Sequence, residues 1–124
     1  MKYLLPAIAW FILSVILLTL PGSQFPSSNW LSAIAFDKWV HIGMFAMMVF
    51  LWCWGITRFS ARPKQKLKQI FVWVFILSCA YGIGMEYVQE NLVIHRSFDV
   101  GDIIADIVGA LCGLGYAWYR FIKK

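Results

Sequence analysis

Charge is what this sequence has least of. Charged residues make up 14% of the 124, and only six are acidic, whereas about a quarter of a soluble domain is charged. The apolar share is 61%, far above the roughly 45–50% of soluble domains, and no aqueous core could hide so much apolar surface. Cysteine is sparse too. Cys53, Cys79 and Cys112 fall in apolar runs without metal or redox spacing, so they read as small packing residues and no disulfide is expected. There is no P-loop, no nucleophile elbow, no rhomboid-like Gly-x-Ser-Gly and no signature of membrane phosphatases or alcohol phosphotransferases. Internal repeats, low-complexity tracts and a second domain are also lacking, so residues 1–124 read as a single domain.

What is present is four long apolar runs, expected as helices over about 3–20, 39–57, 70–87 and 103–122. Each is close to the roughly 20 residues that cross about 30 Å of hydrocarbon. Backbone polar groups in lipid are satisfied only in helices or closed barrels. A barrel needs strands of alternating polarity, and these runs are apolar on both parities. The fold class is therefore all-α, a polytopic membrane protein built as a four-transmembrane-helix bundle. Pro6 lies near the start of its run, where a missing amide is harmless. Lys2 followed by an apolar stretch also opens a secretory signal peptide, but Thr19 to Ser23 makes a poor cleavage site, so the first helix is expected to stay.

Orientation follows from positive charge, which gathers in short cytoplasmic loops. Nine of eleven basic residues lie before the first run (Lys2), between the second and third (Arg58, Arg62, Lys64, Lys66, Lys68) or after the fourth (Arg120, Lys123, Lys124). With four helices these segments share one side, which places both termini in the cytoplasm and the protein in the cell inner membrane as a multi-pass chain. The basic loop is explained by topology and anionic lipid, so no nucleic-acid partner is expected. The other side holds Lys38, Arg96 and all six acidic residues.

Positions three and four apart share a helix face, and three polar stripes result. They are Asp37, Lys38 and His41 on the second helix; Ser78, Gly82, Glu86 and Gln89 on the third; and Asp102, Asp106, Gly109 and Gly113 on the fourth. Gly109 and Gly113 form a small-xxx-small pair suited to close helix approach, which draws Asp106 toward Glu86. A charge in the bilayer costs at least about 2.5 kcal/mol on insertion scales, so both carboxylates are expected to face the bundle interior or a wet cavity. Bland readings stand beside these: Asp99 or Ser97 as a cap of the fourth helix, Asp37 and Lys38 as a solvated helix start, Glu90 and His95 as loop residues, and the rest as a polar network that locks the bundle.

Two carboxylates brought together in a partly dry site compete for a proton, and one could serve as a base. Arg96 offers a planar fork for phosphate or carboxylate, and His41 and Lys38 add a proton carrier and a positive charge. Such a set suits an anionic lipid head group or a lipid-linked phosphate. A metal held by His41, Glu86, Asp102 and Asp106 is conceivable, but without a dense ligand motif such as H-E-x-x-H no metal and no cofactor are expected.

Asp37-Lys38-x-x-His41, Glu86-Tyr87-x-Gln89, Arg96, Asp99, Asp102, Asp106 and Gly109-x-x-x-Gly113, in that order and at helix ends, resemble the VanZ-like family over essentially the whole chain. The family is named for a protein that gives resistance to teicoplanin, an antibiotic acting on cell-wall precursors. The resemblance implies a four-helix membrane core and a functional cluster in which Glu86, Gln89, Arg96 and Asp102 match first and His41 and Lys38 follow. Many members place Asn where this chain has Asp106, so the second carboxylate there is not general to the family. The expected function is binding an anionic lipid or lipid-linked precursor head group at the extracytoplasmic face, with modification of that head group as a further step. An accessory or structural membrane protein and a small transporter acting as an oligomer are the alternatives. Whether the chain is an enzyme, and whether it forms a homo-oligomer, stay open at this level.

Overall fold

The computed structural model describes residues 2–19, 36–59, 62–92 and 100–123, the side chains of Phe36 and Asp37 excepted. It is a bundle of four helices with no strand among the described residues. A single 3-10 turn, Lys2–Leu4, leads into α1, Leu5–Leu18, with Pro6 in the first turn. Helix α2 runs over Phe36–Phe59, α3 over Lys64–Leu92 and α4 over Val100–Trp118, the last continuing as a π-helical turn, Tyr119–Lys123.

Three of these elements, Lys38–Phe59, Lys64–Leu92 and Val100–Lys123, are long and apolar enough to cross a membrane, while Lys2–Leu18 is apolar but shorter. Helix α1 falls within its expected run of about 3–20, whereas the other three overrun the apolar runs that announce them. Helix α3 was expected over about 70–87 and occupies Lys64–Leu92, because hydropathy reports where lipid begins, whereas the backbone keeps its hydrogen bonds into the polar flank. Lys64, Lys66 and Lys68 thus lie on the first turns of α3, not in a loop. The preceding Pro63 lacks an amide but offers its carbonyl to Leu67 N–H at 3.1 Å, a role proline can fill at a helix start. Arg62 reaches back to the Ile56 carbonyl at 3.2 Å, near the end of α2.

Polarity is distributed inside-out. Trp73 and Leu77 are 61% and 63% exposed, as are Leu111, Ile104 and Ile16 by more than half, while Ser14, His41, Ser78, Glu86, Gln89, Asp102 and Asp106 are buried. In water this arrangement would be costly, but in hydrocarbon it is the stable one.

Helices α2 and α4 make the largest contact in the bundle. Its cause is glycine: a Cβ on Gly109 would overlap the Ile42 carbonyl, and one on Gly113 would overlap that of Ala46. The partners advance in step, so α2 and α4 run parallel. Helix α1 runs antiparallel to α2, with Tyr3 against Trp54 and Trp10 against Met44. It runs parallel to α3, with Ser14 against Tyr81 and Leu18 against Gln89. These pairs give an up-down-up-down bundle. Lys2, Arg58, Lys68 and Lys123 therefore share one end, where Lys68 lies over the Trp118 ring at 6.0 Å. An apolar core of Val49, Cys53, Leu67, Phe71, Ala110, Ala117 and Ile122 fills that half, and the polar groups collect in the other.

Candidate functional site

The polar end is assembled from α2, α3 and α4. On α2, Lys38 and His41 lie three apart and so share a face; on α4, Asp102 and Asp106 do the same at four apart. Because the two helices are parallel and in register, the stripes meet rung by rung. Lys38 Nζ donates to Asp102 Oδ1 at 3.2 Å, and one turn deeper His41 Nδ1 and Asp106 Oδ1 share a hydrogen bond of 2.6 Å. The other ring nitrogen of His41, Nε2, lies 3.9 Å from Asp102 Oδ2.

Helix α3 closes the third side. Gly82 leaves space for the Asp106 carboxylate, since a Cβ there would lie 2.7 Å from Oδ2. Glu86, one turn further on, is 1% exposed and offers a carboxylate oxygen to the same point. Ligand atoms of His41, Glu86 and Asp106 all lie within 4.8 Å of one another. The cluster grades from a wet rim to a dry floor: the Lys38 side chain is 33% exposed and that of Asp106 2%. The His41–Asp106 contact, at 2.6 Å, lies at the dry end of this gradient.

The residues singled out in the sequence divide three ways. Lys38, His41, Glu86, Asp102 and Asp106 converge. Gln89 is buried on the same stripe as Glu86, but its amide donates to the Leu18 carbonyl at 2.7 Å and so holds the end of α1. Arg96, Asp99 and the side chain of Asp37 lie outside the described residues. Two hydroxyls went unnoticed in the sequence, Ser14 and Tyr81. Ser14 donates to the Phe11 carbonyl at 2.7 Å, so the 2.8 Å contact with Tyr81 uses the phenol as donor. An isolated serine in an apolar run carries no signal beyond its own polarity.

No dense metal motif was found in the sequence, and the donor set of His41, Glu86 and Asp106 explains why: each ligand comes from a different helix, so no local spacing records it. Imidazole with two carboxylates is a combination that divalent transition ions accept.

Below the cluster an apolar groove of about 470 Å³ opens between α1, α2 and α3, lined among others by Ile8, Phe11, Met48, Trp52, Leu77 and Tyr81. Tyr81 marks the end nearest the polar groups, stacking on Phe45 at 5.8 Å, one turn from His41.

No curated protein and no solved structure matches the chain at a significant level. The family comparison does: the VanZ/LLP1 model matches residues 4–123, nearly the whole length, and the chain belongs to that family.

Proposed function

We propose that this VanZ-like cell-envelope membrane protein binds an anionic lipid or lipid-linked cell-wall precursor head group at the extracytoplasmic end of the bundle. The observation that carries the reading is the graded cluster, in which the part-exposed ammonium of Lys38 stands above the buried His41–Asp106 pair. Lys38 supplies a positive charge at the rim, and Asp102 keeps it in place at 3.2 Å until a phosphate competes for it. The apolar groove beneath, ending at Tyr81, suits an acyl chain. Arg96, which precedes α4 in sequence, carries a guanidinium of the kind that holds phosphate at two points.

Modification of the head group is a further step of the same reading. Asp106 fixes the His41 ring, and a histidine held by a carboxylate is a base or acid whose other nitrogen is presented to a ligand. The accessory reading, in which the cluster only locks the bundle, draws on Gln89, which spends its amide on α1.

Lys38→Ala and Arg96→Ala separate the two. Native mass spectrometry of the detergent-purified protein with phosphatidylglycerol, phosphatidylcholine and an undecaprenyl phosphate should show retention of the anionic species by wild type and its loss in both variants, at unchanged melting temperature. Equal retention of all three lipids by wild type and variants sinks the binding reading. A lowered melting temperature with unchanged retention favours the accessory one.

A further inference from the structure

His41, Glu86 and Asp106 come from three helices, are 4%, 1% and 2% exposed, and point their ligand atoms at one another. We propose that they form a binding site for a divalent first-row transition ion, zinc or manganese. The site shares His41 and Asp106 with the head-group reading, but it can be loaded and measured with no lipid present, so the two fail separately.

The donor set defines the ion. One imidazole nitrogen favours a transition metal over calcium or magnesium, and two carboxylate oxygens favour zinc or manganese over softer ions. Thiolate is not part of the set. Ligands at roughly 2.1 Å from a shared ion stand about 3–4 Å apart, so in a group already within 4.8 Å the Glu86 oxygen needs only a small adjustment, while the His41–Asp106 pair, now 2.6 Å apart, opens to admit the ion. The cation would take the place of the proton that now bridges His41 Nδ1 and Asp106 Oδ1.

Electrostatics point the same way. Negative charge at this depth is expensive, and a doubly charged ion balances two carboxylates. A carboxylate able to support a metal-bound histidine from outside also stands near the ring, beyond hydrogen-bond length. A ligating imidazole turns its other N–H toward a carboxylate that fixes the ring; here Nε2 faces Asp102 Oδ2 at 3.9 Å, and Lys38 holds Asp102 at 3.2 Å. Gly82 keeps the space beside Asp106 open, where any side chain would press on the carboxylate.

The test is metal uptake by the full chain in detergent, stripped with chelator, dialysed against zinc, manganese or magnesium and read by elemental mass spectrometry. Wild type should take up zinc or manganese stoichiometrically and no magnesium. His41→Ala and Asp106→Asn should lose the ion, whereas Asp102→Asn, which removes only an outer partner, should weaken affinity by roughly 10–100-fold. Cobalt loading should give visible ligand-field bands in wild type that vanish in His41→Ala. If that variant does not fold by circular dichroism, the near-isosteric Glu86→Gln carries the same readouts. Trace uptake by wild type, selective uptake of magnesium, or full uptake by folded His41→Ala or Glu86→Gln overturns the site.

Discussion

At Gly109 and Gly113 a methyl group would run into the backbone of α2, while at Gly84 and Gly115 it would meet nothing within 4 Å. The contrast separates packing from propensity. Gly109→Ala should push α4 away from α2 and cost at least the roughly 1–3 kcal/mol of overpacking, because the obstacle is a carbonyl that cannot rotate aside. Gly84→Ala and Gly115→Ala should gain roughly 0.5–1 kcal/mol, the usual preference of a helix for alanine. Unfolding in mixed detergent micelles, followed by circular dichroism, reads both signs; a Gly109→Ala variant as stable as wild type would contradict the packing described. The Gly109–Gly113 pair was legible in the sequence because its four-residue spacing is itself the signal. The role of Gly82 was not, since a glycine opposite a carboxylate looks like any other until the facing helix is known.

Among the described helices, α1 has the least apolar length, and three polar pins hold it. Trp10 Nε1 donates to the Met44 carbonyl at 3.0 Å, Tyr81 meets Ser14 at 2.8 Å, and Gln89 holds the Leu18 carbonyl at 2.7 Å. Hydrophobic attraction between helices is absent in lipid, so such bonds matter. Gln89→Leu should therefore loosen the final turn of α1 at a cost of about 0.6–2 kcal/mol, the span from measured interhelical bonds in membranes to unsatisfied buried groups. Hydrogen exchange of the Val15–Leu18 amides should quicken, with uptake of metal at His41 and Asp106 unchanged. Slower or unaltered exchange there would argue that α1 is held by packing alone. The sequence joined Gln89 to Glu86 by their three-residue spacing, and the spacing does bring both to one buried stripe. That stripe meets two helices, however: Gly82 faces Asp106 on α4, and Gln89 faces Leu18 on α1. Periodicity tells which residues share a face, and only the arrangement of neighbours tells what each one touches.

For the molecule as a whole, the fold was legible because one physical demand governs it. Hydrocarbon requires helices with an apolar exterior and confines charge to the ends or the interior, and the pattern of 61% apolar and 14% charged residues already meets that demand. Helix ends were less legible, since Lys64 to Lys68 leave the apolar stretch without leaving the helix. The same basic segment bears on which way the bundle is expected to face. The parallel and antiparallel pairings put Lys2, Lys68 and Lys123 at one end and His41, Glu86 and Asp106 at the other, so a single orientation sets the address of the whole polar cluster. By the bias of cytoplasmic loops toward Lys and Arg, a fluorescent protein fused after Lys124 should fold and fluoresce, and an alkaline phosphatase fused there should stay inactive. Replacing Arg62, Lys64, Lys66 and Lys68 by glutamine leaves every apolar run intact and removes four of the nine basic residues at this end. Part of the population should then invert, and phosphatase activity of the fusion should rise as fluorescence falls. Activity of the unmodified chain's phosphatase fusion would reverse the orientation and place the cluster on the cytoplasmic side, out of reach of any head group in the outer leaflet.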